Sequence, residues 1–199
     1  MKKTLYLIRH GESEHNKKNV FSGISDVPLS ETGREQCKKL AKQLESLGVQ
    51  SVYSSPLKRA MESAQLIFPG RRISTARGLT EINYGNYEGV SLDYKDEITK
   101  AWNLSPDDLT FPGGDNVNNH ANNIYQTITR IINNDNSSSF AIISHRTSIR
   151  LFLAKILKLD IKFFRNVPCE NCHVSILLFD GESYQIKTIN ASCVVEVGG

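Results

Sequence analysis

Short apolar runs alternate with amphipathic helical stretches along this chain, and that alternation restricts the fold more than any other feature. Runs at 4–8, 49–53, 140–144 and 174–180 have strand length, and a last one is expected at 184–189. Between them, apolar residues recur at helical spacing. From 30 to 47 the stripe is Cys37, Leu40, Ala41, Leu44 and Leu47, with Gly48 as a stop. Ser55 is placed to cap a second helix with Pro56 in its first position, burying Leu57, Ala60, Met61, Ala64 and Ile67. A third helix, after His145, should bury Ile149, Phe152, Leu153, Ile156 and Leu157. Alternation of this kind predicts an α/β layered fold around a mostly parallel sheet. Residues 78–115, with Tyr84-Gly85-Asn86-Tyr87-Glu88-Gly89 and the Pro112-Gly113-Gly114 turn, break the rhythm and read as a small insertion over one end of the sheet. The asparagine cluster at 116–123 is still expected to run into helix, because Ala121, Ile124, Ile128, Ile131 and Ile132 keep the period, whereas 133–136 reads as a surface loop.

Composition narrows the class of partner. The 199 residues are 39% hydrophobic and 23% charged, as in a globular domain, and the formal charge is +3. So small an excess gives no reason to expect nucleic acid, and it suits a small anionic substrate. A membrane partner is not expected either, since no run reaches the roughly 18 apolar residues of a spanning helix. The N-terminus starts basic and then apolar, but Arg9 and His10 interrupt it too early for a signal peptide, so a cytoplasmic location is expected. Cys169-Glu170-Asn171-Cys172-His173 matches the haem-attachment spacing, yet export is not expected and no second C-x-x-C is present to complete a zinc site. The pair reads as reduced thiols near a strand, and neither a metal nor a cofactor is expected.

Three strand ends carry the chemistry. The first run ends in Arg9-His10-Gly11-Glu12, and ligands of parallel α/β sheets bind beyond the carboxyl ends of the strands. Arginine supplies charge for phosphate, and glycine lets the backbone come close. Ser54-Ser55-Pro56-Leu57-Lys58-Arg59 sets Arg59 in the first turn of a helix that directly follows a strand, off its apolar face. The run at 140–144 delivers His145 in the same way. Together these ends predict one cationic pocket for a phosphate group.

The ordered set resembles the histidine phosphatase superfamily on its phosphoglycerate mutase-like branch. The resemblance runs through Leu5–Ser13, Asn16, Phe21-Ser22-Gly23, Asp26–Ser30, Gly33, Ser54–Ala60, Glu81, Gly85, Glu88-Gly89, Pro112-Gly113-Gly114, Ser144-His145 and Arg150, which is nearly the whole length. It implies a three-layer α/β/α sandwich and a phosphorylated-histidine intermediate at His10. It further implies phosphate held by Arg9, Arg59 and His145, a general acid at Glu81, and substrate contacts at Asn16, Ser22 and Gly23. Two guanidiniums and a second imidazole stabilise the equatorial oxygens without a metal, and they favour the neutral His10 that has a lone pair for in-line attack. Glu81 is expected in surroundings that keep it protonated, and Glu88 is the competing acid.

This chain departs from the pattern at several positions. His15 stands where tryptophan is usual, Val20 where arginine is, Asp115-Asn116 where Glu-Ser follows the glycines, Asn122 or Asn123 where arginine is usual, and Arg146 where glycine is commoner. Arg146 is a candidate for a second anionic group on the substrate. The predicted activity is hydrolysis of a small phosphorylated metabolite by one domain over 1–199. Ribazole phosphate, phosphoserine, phosphoglycerates, sugar phosphates and nucleotides all fit the core. A cofactor-dependent phosphoglycerate mutase is the nearest alternative, disfavoured because 81–94 contains no arginine. A non-catalytic phosphate-binding module is the other. Oligomeric state stays open, a homodimer included.

Overall fold

The computed structural model describes residues 2–94 and 109–192. Among them, β1 (Lys3–Arg9), β2 (Ser51–Ser54), β3 (Ile73–Thr75), β4 (Ser139–Ser144), β5 (Val174–Phe179) and β6 (Tyr184–Ala191) form one sheet in the spatial order β3-β2-β4-β1-β5-β6. The pairs β2–β3, β2–β4 and β1–β4 are parallel, while β1–β5 and β5–β6 are antiparallel. The sheet is therefore mixed, with a parallel half and an antiparallel flank. Its two central strands are covered on both faces, which is why Leu5–Ile8 and Phe140–Ile143 are continuous apolar runs rather than alternating ones.

Helices α1 (Glu14–Lys17), α2 (Glu31–Leu44), α3 (Lys58–Ile67), α4 (Val117–Asn134) and α5 (Arg146–Ile156) complete the layers. Alternate residues of β1 serve opposite cores. Leu5 and Leu7 pack with apolar residues of α4 and α5, whereas Tyr6 and Ile8 pack with those of α2 and α3. The result is the expected α/β/α sandwich.

Several boundaries differ from expectation, each for a local reason. Helix α3 begins at Lys58, two residues late, because Ser55 Oγ bonds His145 Nε2 at 2.8 Å and accepts Leu57 N–H only at 3.3 Å. Its buried face includes Arg59 and Ser63, while Leu57 and Met61 are only half-buried. Helix α5 stops at Ile156 and leaves Leu157 42% exposed. Strand β3 was not expected, since three residues at a sheet edge carry no period. Helix α4 absorbs the asparagine cluster, with Asn116 Oδ1 capping Asn119 N–H at 3.1 Å and Ile124, Ile128 and Ile132 buried. Part of the expected insertion, 95–108, lies outside the described residues. Its flanks meet where Gly85, at φ 56°, presses on the 112–114 turn so closely that a Cβ would lie 2.2 Å from Pro112 O. No described helix is long and apolar enough to cross a membrane.

Sheet order is what assembles the site. Arg9 and Ser144 are register partners across the parallel β1–β4 pair, and His10 N–H donates to Ser144 O at 3.1 Å. On the other side of β4, Ser55 N–H donates to Ile143 O at 3.0 Å. Three strands that are far apart in sequence therefore end along one edge, and they deliver His10, Ser55 and His145 side by side.

Candidate active site

A cavity of about 310 Å³ opens at that edge, and Arg9, His10, Asn16, Ser22, Glu81 and Arg146 are among its lining residues. His10 is 4% exposed, and its Nδ1 lies 2.6 Å from Gly11 O. A carbonyl only accepts, so Nδ1 carries the proton and Nε2 keeps its lone pair. Arg59 requires the same tautomer, since its Nε–H donates to His10 Nε2 at 3.3 Å. Burial, then Arg59 and Arg9, hold the His10 pKa well below its ordinary 6.5, so the ring is neutral at physiological pH. The backbone around it is packed tightly: Gly11 N–H donates to Ser63 Oγ at 3.0 Å, and a Cβ on Gly11 would meet Gly33 O at 2.6 Å. Cys172 N–H and Asn171 Nδ2 both donate to His10 O, at 3.3 and 2.9 Å.

His145, at the N-cap of α5, is fully buried, with its ring centroid 5.0 Å from that of His10. Its Nε2 is engaged by Ser55 Oγ, and its buried Nδ1 has no protein partner. Burial, followed by Arg59, also lowers its pKa well below 6.5. Arg9 Nη1 donates to Cys169 O at 2.8 Å, while its buried Nε has no partner. Burial and then Arg146 bring Arg9 down to about 10, which leaves it protonated. Arg59 is fully buried on α3. Its guanidinium reaches back to the 22–25 loop, donating to Gly23 O at 2.6 Å and Ser25 O at 2.7 Å, with its Nε toward His10.

Glu81 sits at the start of α5. Its Oε2 accepts Thr147 N–H at 2.9 Å, and its Oε1 accepts Ser148 N–H and Ile82 N–H, each at 3.0 Å. Ser144 Oγ and Ser148 Oγ anchor the approach to it by donating to Leu79 O and Thr80 O. The carboxyl is thus held in place by backbone donors at the start of α5. Glu88 does a different job. Its carboxylate accepts the N–H groups of Gly23, Ile24, Ser25 and Tyr84 and the hydroxyl of Ser25. Glu88 holds the amide side of the 22–25 loop and Arg59 the carbonyl side. Gly23 is consumed by that clamp: its N–H and C=O face Glu88 and Arg59, and a Cβ would lie 2.1 Å from Glu88 Oε1.

Asn16 Oδ1 caps Ser13 N–H, and the buried Ser22 Oγ has no partner. His120 Nε2 is hydrogen-bonded with Ser148 Oγ at 2.9 Å. Cys172 faces Cys37 with 3.4 Å between sulfurs, while burial pushes Cys169 up to about 11. Sequence reasoning did not place Tyr84, Thr147, Arg150, Arg165 or Glu170 in the cavity wall, yet all line it. Only Arg150 had a signal, as part of the resemblance.

The buried neutral imidazoles set a pH dependence of stability. His10, His120 and His145 all have folded pKa values below 6.5, so the unfolded chain takes up protons first as pH falls. Their contribution is complete above pH 6.5 and is lost below it, approaching about 1.4 kcal/mol per pH unit for each group. The thermal midpoint is expected to fall between pH 7 and 5.5; a flat or rising midpoint counts against neutral buried histidines.

A histidine nitrogen with its lone pair toward a guanidinium, at the carboxyl end of a parallel strand, is an arrangement suited to phosphoryl groups. A family profile, histidine phosphatase superfamily (branch 1), matches residues 5–192. The chain belongs to the histidine phosphatase superfamily. Phosphoserine phosphatase 1 of Hydrogenobacter thermophilus is 26% identical over 95% of this chain and 92% of its own length. A Salmonella paratyphi B protein named for phosphoglycerate mutase, GpmB, is 25% identical over 98% of this chain and 92% of its own. In fold, the chain superposes on a phosphoserine phosphatase of Entamoeba histolytica, a mutant solved with phosphoserine, with a TM-score of 0.87 at 23% identity over 96% and 98% of the two chains.

Proposed function

We propose that the chain, acting as one domain, hydrolyses a small phosphomonoester through a phosphohistidine at His10. The observation that carries this reading is the His10 tautomer: Nδ1–H is tied to Gly11 O, and Nε2 holds a lone pair toward cations. A phosphate-binding module needs donors there, not a nucleophile.

In the reaction, Nε2 attacks phosphorus as the ester P–O bond breaks, and the leaving oxygen takes a proton from the carboxyl of Glu81. Glu81 then accepts a proton from water, whose oxygen attacks phosphorus as the P–N bond breaks, releasing phosphate and free His10. The unpartnered Arg9 Nε, His145 Nδ1 and Ser22 Oγ supply polar atoms for the phosphoryl oxygens. A phosphate oxygen at His145 Nδ1 selects the tautomer in which Ser55 O–H donates to Nε2. Arg59 contributes charge and, through the 22–25 loop, shapes the wall that Ser22 and Asn16 share. Asn16 and Arg146 are assigned to the leaving group, and Gly23 acts through its backbone. The reading includes a cytoplasmic location and no metal or cofactor.

The mutase reading is supported by the Salmonella relative and is tested directly. Incubating 3-phosphoglycerate with 2,3-bisphosphoglycerate in EDTA is expected to release inorganic phosphate faster than it forms 2-phosphoglycerate. A mutase rate well above hydrolysis overturns the reading, and so does EDTA-sensitive hydrolysis restored by magnesium or zinc.

A further inference from the structure

The spacing Cys169-x-x-Cys172 suggests one thiol pair, and the fold makes another. Cys169 packs in the core on the α4 and α5 side of the sheet, whereas Cys172 packs on the α2 and α3 side. There it meets Cys37 of α2, 135 positions away, with 3.4 Å between the sulfurs. Neither sulfur is in a disulfide. Hydrogen bonds, from Cys172 first and then from Ser63 and Gly11, hold the Cys37 thiol below its ordinary pKa against the opposing effect of burial. Cys172, which keeps the shared proton, is raised. Cys37 therefore has the greater thiolate character of the two.

The pair touches the nucleophile segment from two sides. Cys37 Sγ fills the space beside Gly11, where a Cβ would lie 2.9 Å from it. The 169–172 turn braces the end of β1. Cys169 O accepts Arg9 Nη1 at 2.8 Å, Cys172 N–H donates to Arg9 O at 3.0 Å, and Asn171 Nδ2 donates to His10 O at 2.9 Å. Closing the sulfurs from 3.4 Å to the disulfide length of about 2.05 Å takes roughly 1.4 Å of travel. Cys37 sits inside α2 and against Gly11, so the travel falls to the turn around Cys172. The φ of Cys172, 54°, already lies in the left-handed region that favours glycine, and such strain holds only while the surroundings enforce it. A bond there pulls on the turn that holds Arg9 and His10.

We propose that Cys37 and Cys172 form a modification site for hydroperoxides, closing into a disulfide that disarms His10; the loss of activity, though not the bond itself, rests on the hydrolase reading above. In the step, the Cys37 thiolate attacks an oxygen of hydrogen peroxide, the O–O bond breaks and hydroxide leaves. The Cys172 thiol then attacks the sulfenic sulfur, the S–O bond breaks, and the S–S bond forms as water leaves. The two thiols give up two electrons and two protons, and the peroxide becomes two waters. A dithiol reductant reverses the change. The pair admits only a small oxidant, since Cys37 is fully buried and Cys172 is 8% exposed.

In the experiment the full chain is treated with hydrogen peroxide and assayed for phosphate release from p-nitrophenyl phosphate. It is then digested without reduction and its peptides are mapped by mass. The expected result is a cross-linked peptide pair joining Cys37 to Cys172. With it, kcat should fall by about ten- to a hundredfold, the range for a reacting group misplaced by about 1 Å, and dithiothreitol should restore it. C37A and, separately, C172A are each expected to keep their own untreated rate after peroxide, and either variant that folds serves. Absence of the cross-link overturns the proposal, as does a bond from Cys172 to Cys169 or to Cys193, which lies outside the described residues. It is also overturned by a Cys37–Cys172 bond that leaves the rate unchanged, by a loss that dithiothreitol does not restore, or by variants inactivated as fully as the wild type. If the untreated wild type hydrolyses no phosphomonoester, the hydrolase reading fails, while the mass map still decides whether the bond forms.

Discussion

His10→Ala abolishes turnover of every phosphomonoester, with a loss on the order of 10⁴-fold or more, as expected when a covalent nucleophile is removed. In the wild type, label from a phosphorylated substrate should be trapped on His10 by rapid denaturation, stable in base and lost in acid. The expectation rests on geometry that only one of the two imidazoles has. His10 Nδ1–H is fixed on Gly11 O, so its Nε2 carries the lone pair and meets Arg59 Nε–H at a long 3.3 Å, whereas His145 Nε2 is engaged by Ser55 Oγ at 2.8 Å. His145→Ala should therefore react slowly yet still take up label. Label found on His145 instead reverses the assignment. His10→Ala should remain folded, because the bonds that anchor this segment use the His10 main chain, its N–H to Ser144 O and its carbonyl to Asn171.

Glu81→Gln divides substrates by leaving group. An alkyl alkoxide needs a proton as it departs and p-nitrophenolate needs little, so the variant should lose about 10²–10⁴-fold on alkyl phosphates and far less on p-nitrophenyl phosphate. One amide oxygen remains to accept from α5, so the loop should hold, although the bond from Thr147 or those from Ile82 and Ser148 must be given up. Glu88→Gln is the control. That carboxylate takes the amide protons of the 22–25 loop while Arg59 holds its carbonyls, so its loss loosens the cavity wall for every substrate alike. Both rate constants should fall by similar factors. Leaving-group dependence in Glu88→Gln and not in Glu81→Gln would transfer the acid to Glu88 and leave the phosphate seat untouched.

Periodicity made the layers legible. The apolar runs of β1 and β4 and the stripes of α2 and α4 follow from burial on one or both faces, a property of each segment alone. Strand β3 was invisible because its three residues owe their conformation to β2 beside them. The start of α3 was misplaced because Ser55, a good cap by local rules, is held by a histidine 90 positions away. Arg9, His10, Arg59, Glu81 and His145 could be singled out as candidates, since strand ends, a helix start and a family-like motif mark them. The partners that set their chemistry carry no such mark.

The sequence by itself determined the sandwich, the order of its elements and the identity of the cationic residues at the strand ends. Its alternating apolar pattern and ordered motifs act locally, and burial enforces them wherever the chain folds. Only the tertiary structure decided that β1 and β4 lie side by side with Arg9 opposite Ser144, that Arg59 braces a loop as well as facing His10, and that Arg165 joins Arg146 and Arg150 on one wall. Those outcomes depend on strand order and on carbonyls offered by distant segments. Hydrogen-bond partners and net local charge are properties of the assembled pocket, and no window of sequence contains them.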